Sequence, residues 1–266
     1  VRYGRILGDF QRDSYAISTK VSRVLRPENP DDLAPYSADG IPHYTYDFDF
    51  SAKGVQASLD SSLERLGLDV VDILFVHDSD LKDQHPDEDF IEGLEAASEL
   101  RAQGVVKAIG MGMNVCERTG RMVERFDLDY ILLAGRYTLL EQSALPEFLP
   151  LCVERGVQLT IGGPYNSGIL ARDLDKPVSF DYQLAPPPLV DKARALKAVC
   201  DRHGVELKAA ALQFLFAHEA VASAVPGATS VAELEDNARV MQVAIPAALW
   251  DELKAEGLLP AEAPTP

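Results

Sequence analysis

Basic residues are scarce in this chain. Lys and Arg number 25 against 42 Asp and Glu in 266 residues, a formal net charge of -17. A surface that negative repels phosphate backbones and anionic lipids, which argues against a nucleic-acid or membrane-surface partner. A small-molecule site can still be locally positive. Cysteine is scarcer: Cys116, Cys152 and Cys200 are odd in number and far apart, with no C-x-x-C. That pattern offers no thiolate metal cluster and fits a reduced, cytoplasmic protein. His43, His85, His203 and His218 lack metal-ligand spacing, and the acidic run 77–89 reads as a solvated loop rather than a cation site. No apolar run approaches the roughly 20 residues that span a bilayer. No signal-peptide pattern opens the chain, which starts on Val1 rather than Met. No G-x-G-x-x-G follows a strand-like run, against a Rossmann cofactor site, and no G-x-S-x-G marks a nucleophilic serine.

What is present is an alternation of short β-rich runs and amphipathic helical stretches. Strands are expected at 14–21, 71–78, 106–112, 129–135, 157–163 and 221–227. The run "VDILFVHD" is almost continuously apolar, as a strand buried on both faces should be. Helices are expected at 55–67, 87–104, 116–125, 145–155, 188–203, 206–218, 231–240 and 246–256, several stopping on a glycine. Repeated βα units imply parallel strands with helical crossovers, an α/β fold. Six strands suit a doubly wound sheet; a (β/α)8 barrel needs eight. The barrel reading takes 1–266 as one domain and places two further strands before Val1. Residues 22–53 and 171–187 break the rhythm and read as long connections, either functional lids or plain insertions. The tail "LPAEAPTP" is expected to fray.

Chemistry is expected at the strand ends. Lys20 closes "ISTKV", where its charge can lower the pKa of a neighbouring phenol; the alternative is a solvated strand-end lysine. His77 closes "VDILFVH", where it can donate a hydrogen bond to a substrate carbonyl; the alternative is a structural histidine. The two close successive strands, which in a barrel sets them side by side on one face. The uncharged, glycine-rich "IGGPYNSGIL" (161–170) lets a cofactor approach the backbone or is a tight turn. In "VPGATSVAELEDN" (225–237), Thr229 or Ser230 can cap a helix whose first N–H groups can hold a phosphate; the alternative is an ordinary helix cap.

These residues resemble a known family. "SLDSSLERLGLDVVDILFVHDSD" (58–80), "ISTKV", "ELRAQGVVKAIGMGMN" (99–114) and "IPAALWDELKAEGLL" (245–259) resemble, in order, motifs of the aldo-keto reductases. "LLAGRYTLLEQSAL" (132–145) and "GGPYNSGILA" (162–171) resemble its bacterial sugar dehydrogenase branch, which also holds a pyridoxal dehydrogenase. The resemblance implies a (β/α)8 TIM barrel that uses NAD, with NADP possible. It implies hydride transfer between the nicotinamide and an aldose C1 hydroxyl or its lactone. Alternatives are pyridoxal or another aldehyde as substrate, or a non-catalytic cofactor-binding regulatory barrel. Lys20 and His77 take two of the family's four catalytic positions. Gly112, Met113, Asn114, Gly163, Pro164, Tyr165, Asn166, Ser167, Gly227, Ala228, Thr229, Glu233, Asp236 and Asn237 take cofactor-binding ones.

The catalytic Tyr and Asp belong to a Tyr-Gly segment earlier in the family's chain. The pair Tyr3-Gly4 is a tempting match. Yet "RYGRILGDFQRDSYAISTK" aligns without gaps to a later helix, with Gly4 as that helix's glycine. Tyr3 is therefore expected in a helix, and the catalytic Tyr and Asp upstream of Val1. The segment 227–233 reads Gly227, Ala228 and Glu233 where relatives preferring the 2′-phosphorylated cofactor carry cations. Glu233 repels a phosphate and accepts hydrogen bonds from a free ribose diol, which favours NAD. Ala134 and Gly162 stand where the family often has a glutamine and a stacking aromatic; Tyr165, Asn166 or the backbone are expected to substitute.

Overall fold

The computed structural model describes residues 2–27, 44–77 and 85–266. His43, most of the acidic run and the middle of the 22–53 connection lie outside the described residues. The chain divides into two compact units, Val1–Met113 with Glu124–Ile131, and Asn114–Val123 with Leu132–Pro266.

In the first unit, helix α1 (Arg2–Leu7) precedes strand β1 (Ser18–Val21), the ribbon strands β2 (Arg23–Pro27) and β3 (Tyr44–Phe48), and helix α2 (Ala52–Leu66). Strand β4 (Val71–His77), helix α3 (Asp87–Ala102) and strand β5 (Val106–Met113) follow. β1 runs parallel to β4, and β4 to β5. The helices are punctuated as their sequences dictate. Ser51 caps α2 by accepting the Gly54 N–H at 3.2 Å, and Gly67 ends it at φ 68°, a conformation that glycine adopts without cost. Tyr3 lies in α1, as the glycine alignment expects. The reason for that glycine is steric: a Cβ at Gly4 would meet the Arg65 and Leu66 carbonyl oxygens at 2.6 Å, so α1 reaches the end of α2 only through Gly4. Strand β6 (Tyr130–Ala134) begins in this unit. Its first residue crosses close above Gly110, where a Cβ would fall 1.8 Å from the Tyr130 oxygen.

The second unit holds helix α4 (Cys116–Arg125, to Val123), the end of β6, helix α5 (Phe148–Arg155) and strand β7 (Gln158–Gly162). Then come strands β8 (Ser179–Phe180) and β9 (Gln183–Leu184), helices α6 (Pro187–Arg202) and α7 (Leu207–Phe214), strand β10 (Val221–Val225), and helices α8 (Val231–Val240) and α9 (Ala247–Ala255). β7 and β10 pair in parallel. Gly135 N–H reaches the Gly162 carbonyl at 3.1 Å, joining the end of β6 to the end of β7.

Three expectations need correction. The strand expected over 14–21 is only Ser18–Val21, because Arg12–Ser14 forms a 3-10 turn. The two connections are not structureless: β2 and β3 form one antiparallel ribbon, β8 and β9 another. In the first, the alternation in "YTYDF" and the β-branched and apolar centre of "RVLRP" win over the Pro and Asp content that suggests loop. The tail is not frayed, since Leu259 and Ala263 are buried and the Ala263 N–H returns to the Pro260 carbonyl.

Candidate active site

The first unit supplies the two candidate catalytic side chains. Lys20 is level with Phe75 across β1 and β4, and Phe75 with Gly110 across β4 and β5. His77 lies two residues beyond Phe75 and level with Gly112. Strand side chains alternate with period two, so Lys20, Phe75 and His77 share one face. The opposite face is covered: Val76 Cγ1 lies 3.2 Å from a Cβ placed on Gly93 of α3. Lys20 is exposed and His77 half-buried. Both therefore project from the face opposite α3, at the C-terminal ends of neighbouring parallel strands, where βα folds place their chemistry.

The N-terminal ends of the same strands carry a stabilising clamp. Asp72 accepts from Arg12 at 2.7 Å and from the Ile17 N–H at 2.8 Å, and pairs with Lys107 at 2.7 Å. Burial pushes its carboxyl up, but the hydrogen bonds from Lys107, Ile17 and Arg12 together bring it down to about 2.

Gly112 and Met113 are buried at the end of β5. Asn114 begins the second unit, and its carbonyl accepts Arg136 Nε at 3.0 Å. After β7 the chain turns through left-handed backbone at Gly163 (φ 58°), Asn166 (φ 46°), Ser167 (φ 59°) and Gly168 (φ 100°). Asn166 is buried and spoken for: its Oδ1 accepts the Thr138 hydroxyl at 2.5 Å and its amide donates to the Gly135 carbonyl at 3.3 Å. Tyr165, after Pro164, is also buried. Its hydroxyl donates to Asn237 Oδ1 at 3.0 Å, and the Lys208 ammonium lies 5.5 Å from its ring centre. The side chains of Tyr165 and Asn166 thus serve the second unit's own packing, which leaves the backbone of this loop as its exposed chemistry.

Beyond β10, Gly227 and Ala228 lead to α8. Ser230, rather than Thr229, is the cap, accepting the Glu233 N–H at 3.2 Å. The Glu233 carboxylate turns back to accept the Thr229 N–H at 2.6 Å and its hydroxyl at 2.9 Å. These bonds hold it below the usual carboxylate range. Asp236 pairs with Lys208 at 2.6 Å and Arg239 at 2.7 Å. Three residues were not singled out from sequence: Arg136, Thr138 and Lys208. The first two lie just past the end of β6, inside the motif "LLAGRYTLLEQSAL"; an arginine beside a strand-end glycine was the available signal.

The three thiols are poor nucleophiles, burial pushing Cys116 up to about 11 and Cys152 and Cys200 to about 12. Among the described residues no His, Cys, Asp and Glu group could hold a metal ion, and no helix is long and apolar enough to cross a membrane.

The first unit carries a lysine and a histidine at adjacent parallel strand ends, the second carries open glycine turns and a capped helix start, and each is a feature compatible with a βα-barrel oxidoreductase. The chain belongs to the aldo/keto reductase family, whose model matches residues 2–256. It is 39% identical over 264 residues to a D-threo-aldose 1-dehydrogenase from a Pseudomonas species, covering 97% of this chain and 80% of that protein. It is 37% identical over 280 residues to a pyridoxal 4-dehydrogenase of Microbacterium luteolum, covering 97% and 82%. An aldo-keto reductase of Bacillus halodurans, solved in its holo form, superposes with a TM-score of 0.70 at 21% identity over 98% of this chain and 77% of that one. That likeness gives the fold, a (β/α)8 barrel.

The second unit fits the nicotinamide cofactor that the family uses. Asn237 Nδ2 is buried with no hydrogen-bond partner among the described residues. A Cβ placed on Gly163 or Gly227 would meet nothing within 4 Å, so a ligand can approach the backbone at both.

Proposed function

We propose that this protein oxidises a cyclic aldose at C1 to its lactone, with NAD as the hydride acceptor. The register that puts Lys20 and His77 on one face of adjacent strand ends carries this reading, and the sugar dehydrogenase relative supports the substrate class. The nicotinamide cofactor, when bound, would supply the acceptor for the hydride that leaves C1. The ammonium of Lys20 favours the anionic form of a neighbouring phenol, the base that receives the C1 hydroxyl proton. The imidazole of His77 donates a hydrogen bond that orients the reacting oxygen. Tyr3 is not that phenol on this reading, since it lies in α1 and is 73% exposed. On this reading Gly112, Met113 and Asn114 would hold the nicotinamide, and the 163–167 backbone with Gly227 and Ala228 the phosphates. Thr229, whose N–H and hydroxyl are taken by Glu233, would serve with Glu233, Asp236 and Asn237 at the ribose and adenine.

NAD is favoured over NADP because the Glu233 carboxylate already occupies the anion position before α8. A second phosphate there would meet like charge, whereas a ribose hydroxyl can donate to it. The second substrate reading is pyridoxal, supported by the other relative. Initial rates with L-fucose, D-arabinose and pyridoxal, each with NAD and with NADP, separate these readings. Turnover of a sugar with NAD is expected; turnover of pyridoxal alone moves the assignment to the second reading. Lys20→Met should abolish turnover while leaving the circular dichroism spectrum intact, and undiminished activity would remove Lys20 from the mechanism.

A further inference from the structure

Among the described residues five that are not glycine have left-handed backbone, and four of them lie in two short segments of the second unit. Asn166 and Ser167 are in the loop after β7; Asp181 and Tyr182 are the turn between β8 and β9. Such backbone is unfavourable for a residue with a side chain, and its clustering is a feature to explain by function.

One guanidinium joins the two segments. Arg136 Nη2 donates to Asp181 Oδ2 at 3.0 Å. Its Nη1 donates to the Gly135 carbonyl at 3.3 Å, which also accepts the Asn166 amide at 3.3 Å. Its Nε donates to the Asn114 carbonyl at 3.0 Å. The turn reaches the loop a second time, through the Tyr182 N–H to Ser167 Oγ at 3.2 Å. Gly135 lies where these segments meet: a Cβ on it would sit 3.6 Å from Asn166 Nδ2 and 3.9 Å from Asp181 Oδ1. Stability alone does not account for the ion pair. The Arg136 and Asp181 side chains are 23% and 52% exposed, and a pair so open to water contributes little to folding. What it does is hold Asn114, Gly135 and the loop after β7 in one fixed arrangement.

We infer that Arg136 and Asp181 are positioning residues for the nicotinamide cofactor: their ion pair presets the backbone of Asn114 and of the loop after β7, and so sets cofactor affinity without touching the cofactor. The inference rests on the reading above, which gives Asn114 and that loop to the cofactor. The turn needs no ligand contact of its own, because it acts through Arg136 and Ser167. Groups held in place before binding lose less freedom on binding, so loosening them weakens affinity.

The test measures NADH dissociation constants by fluorescence titration, with melting temperatures and steady-state kinetics, for wild type and four variants. Asp181→Gly frees the turn, leaves Arg136 on its two carbonyls and suits left-handed backbone. It should melt close to wild type and weaken NADH binding about threefold. Arg136→Met releases all three partners and should weaken binding about tenfold. Arg136→Lys keeps the charge without the planar fork and should fall between wild type and Arg136→Met. The double variant, Arg136→Met with Asp181→Gly, should bind no worse than Arg136→Met, because the pair is already broken. The KM for NAD should rise by the same factors, with kcat at saturating NAD within about twofold of wild type. Unchanged NADH affinity in both single variants, additive losses in the double variant, or losses that follow a lowered melting temperature overturn the inference while the functional reading stands. A wild-type protein that does not bind NADH overturns the cofactor reading, and this inference with it.

Discussion

Asn237 has one satisfied and one unsatisfied polar atom. Its Oδ1 accepts the Tyr165 hydroxyl at 3.0 Å, and its Nδ2 is buried without a partner among the described residues. If the cofactor supplies that partner, fold and binding depend on this amide through different atoms. Tyr165→Phe strands Oδ1 and should cost about 1–2 kcal/mol of stability. Asn237→Leu strands the Tyr165 hydroxyl at a similar cost, about 1–3 kcal/mol, partly offset by removing the orphaned Nδ2. The double variant leaves neither stranded and should lie within about 1 kcal/mol of wild type, so the two changes are strongly non-additive. Cofactor affinity should follow a different order. Both variants carrying Asn237→Leu lose one neutral hydrogen bond to the ligand, about 0.5–1.5 kcal/mol, which is about twofold to tenfold in Kd. Tyr165→Phe keeps Nδ2 and should bind nearly as wild type does. Urea unfolding gives the stability cycle, and calorimetric titration with NAD gives the affinities. Equal loss of NAD affinity in Tyr165→Phe and Asn237→Leu, or none in either, would refute the reasoning.

Glu233→Gln keeps an oxygen that can accept from Thr229 but removes the charge, and should raise the ratio of kcat/KM for NADP over NAD by about tenfold; an unmoved ratio in parallel assays with the two cofactors removes Glu233 from cofactor choice. Asp72 has a folded pKa of about 2 against an ordinary 3.8, so its stabilisation is complete above about pH 4 and is lost as pH falls toward 2. The shift corresponds to about 2.5 kcal/mol at most, and solvent screening of the exposed Lys107 leaves about 1–2 kcal/mol. The stability gap between wild type and Asp72→Asn should therefore close on acidification across that window, and a gap independent of pH in urea melts contradicts the clamp. Gly4→Ala adds a methyl against two backbone oxygens at 2.6 Å and should destabilise by about 1–3 kcal/mol despite alanine's better helix propensity. A raised melting temperature would show that α1 does not rest on α2 in solution.

How much was legible in the sequence follows from the range of the interactions involved. "VDILFVH" declares a buried strand by its own residues, and counting in twos puts His77 on the Phe75 face; that Lys20 shares it needed the register of β1 on β4. Gly4 was legible because a close backbone approach admits one residue type only. The β2–β3 ribbon was hidden because its alternation is short and embedded in Pro and Asp. The tail's packing was hidden for another reason: the burial of Leu259 and Ala263 is a tertiary outcome that no local pattern announces. Thr229 and Ser230 are equivalent caps on paper, and only the Glu233 carboxylate returning to Thr229 separates them. Tyr165 and Asn166 showed the limit of residue type as a guide. Both look suited to meet a ligand, and both are occupied by Asn237, Thr138 and Gly135.

That occupation bears on how the second unit would hold a cofactor. The loop after β7 runs through three consecutive left-handed residues, Asn166, Ser167 and Gly168. For Ser167 this conformation costs energy, and for Asn166 less, since asparagine tolerates it. The Thr138–Asn166–Gly135 bonds fix the first of these residues to the end of β6. Ser167 is fixed in turn by the Tyr182 N–H, and Tyr182's neighbour Asp181 by Arg136. A loop fixed through its side chains presents its N–H and carbonyl groups already in place, so less ordering is needed on binding. On the proposed reading, this is why Ala134 and Gly162 can replace the family's frequent amide and aromatic side chains. A Cβ on Gly162 would already rest in ordinary contact, 3.6 Å, with Ala134 and Leu132. A large side chain at either position would therefore crowd the other. Two small residues at adjacent strand ends instead leave room for the ligand to meet the backbone.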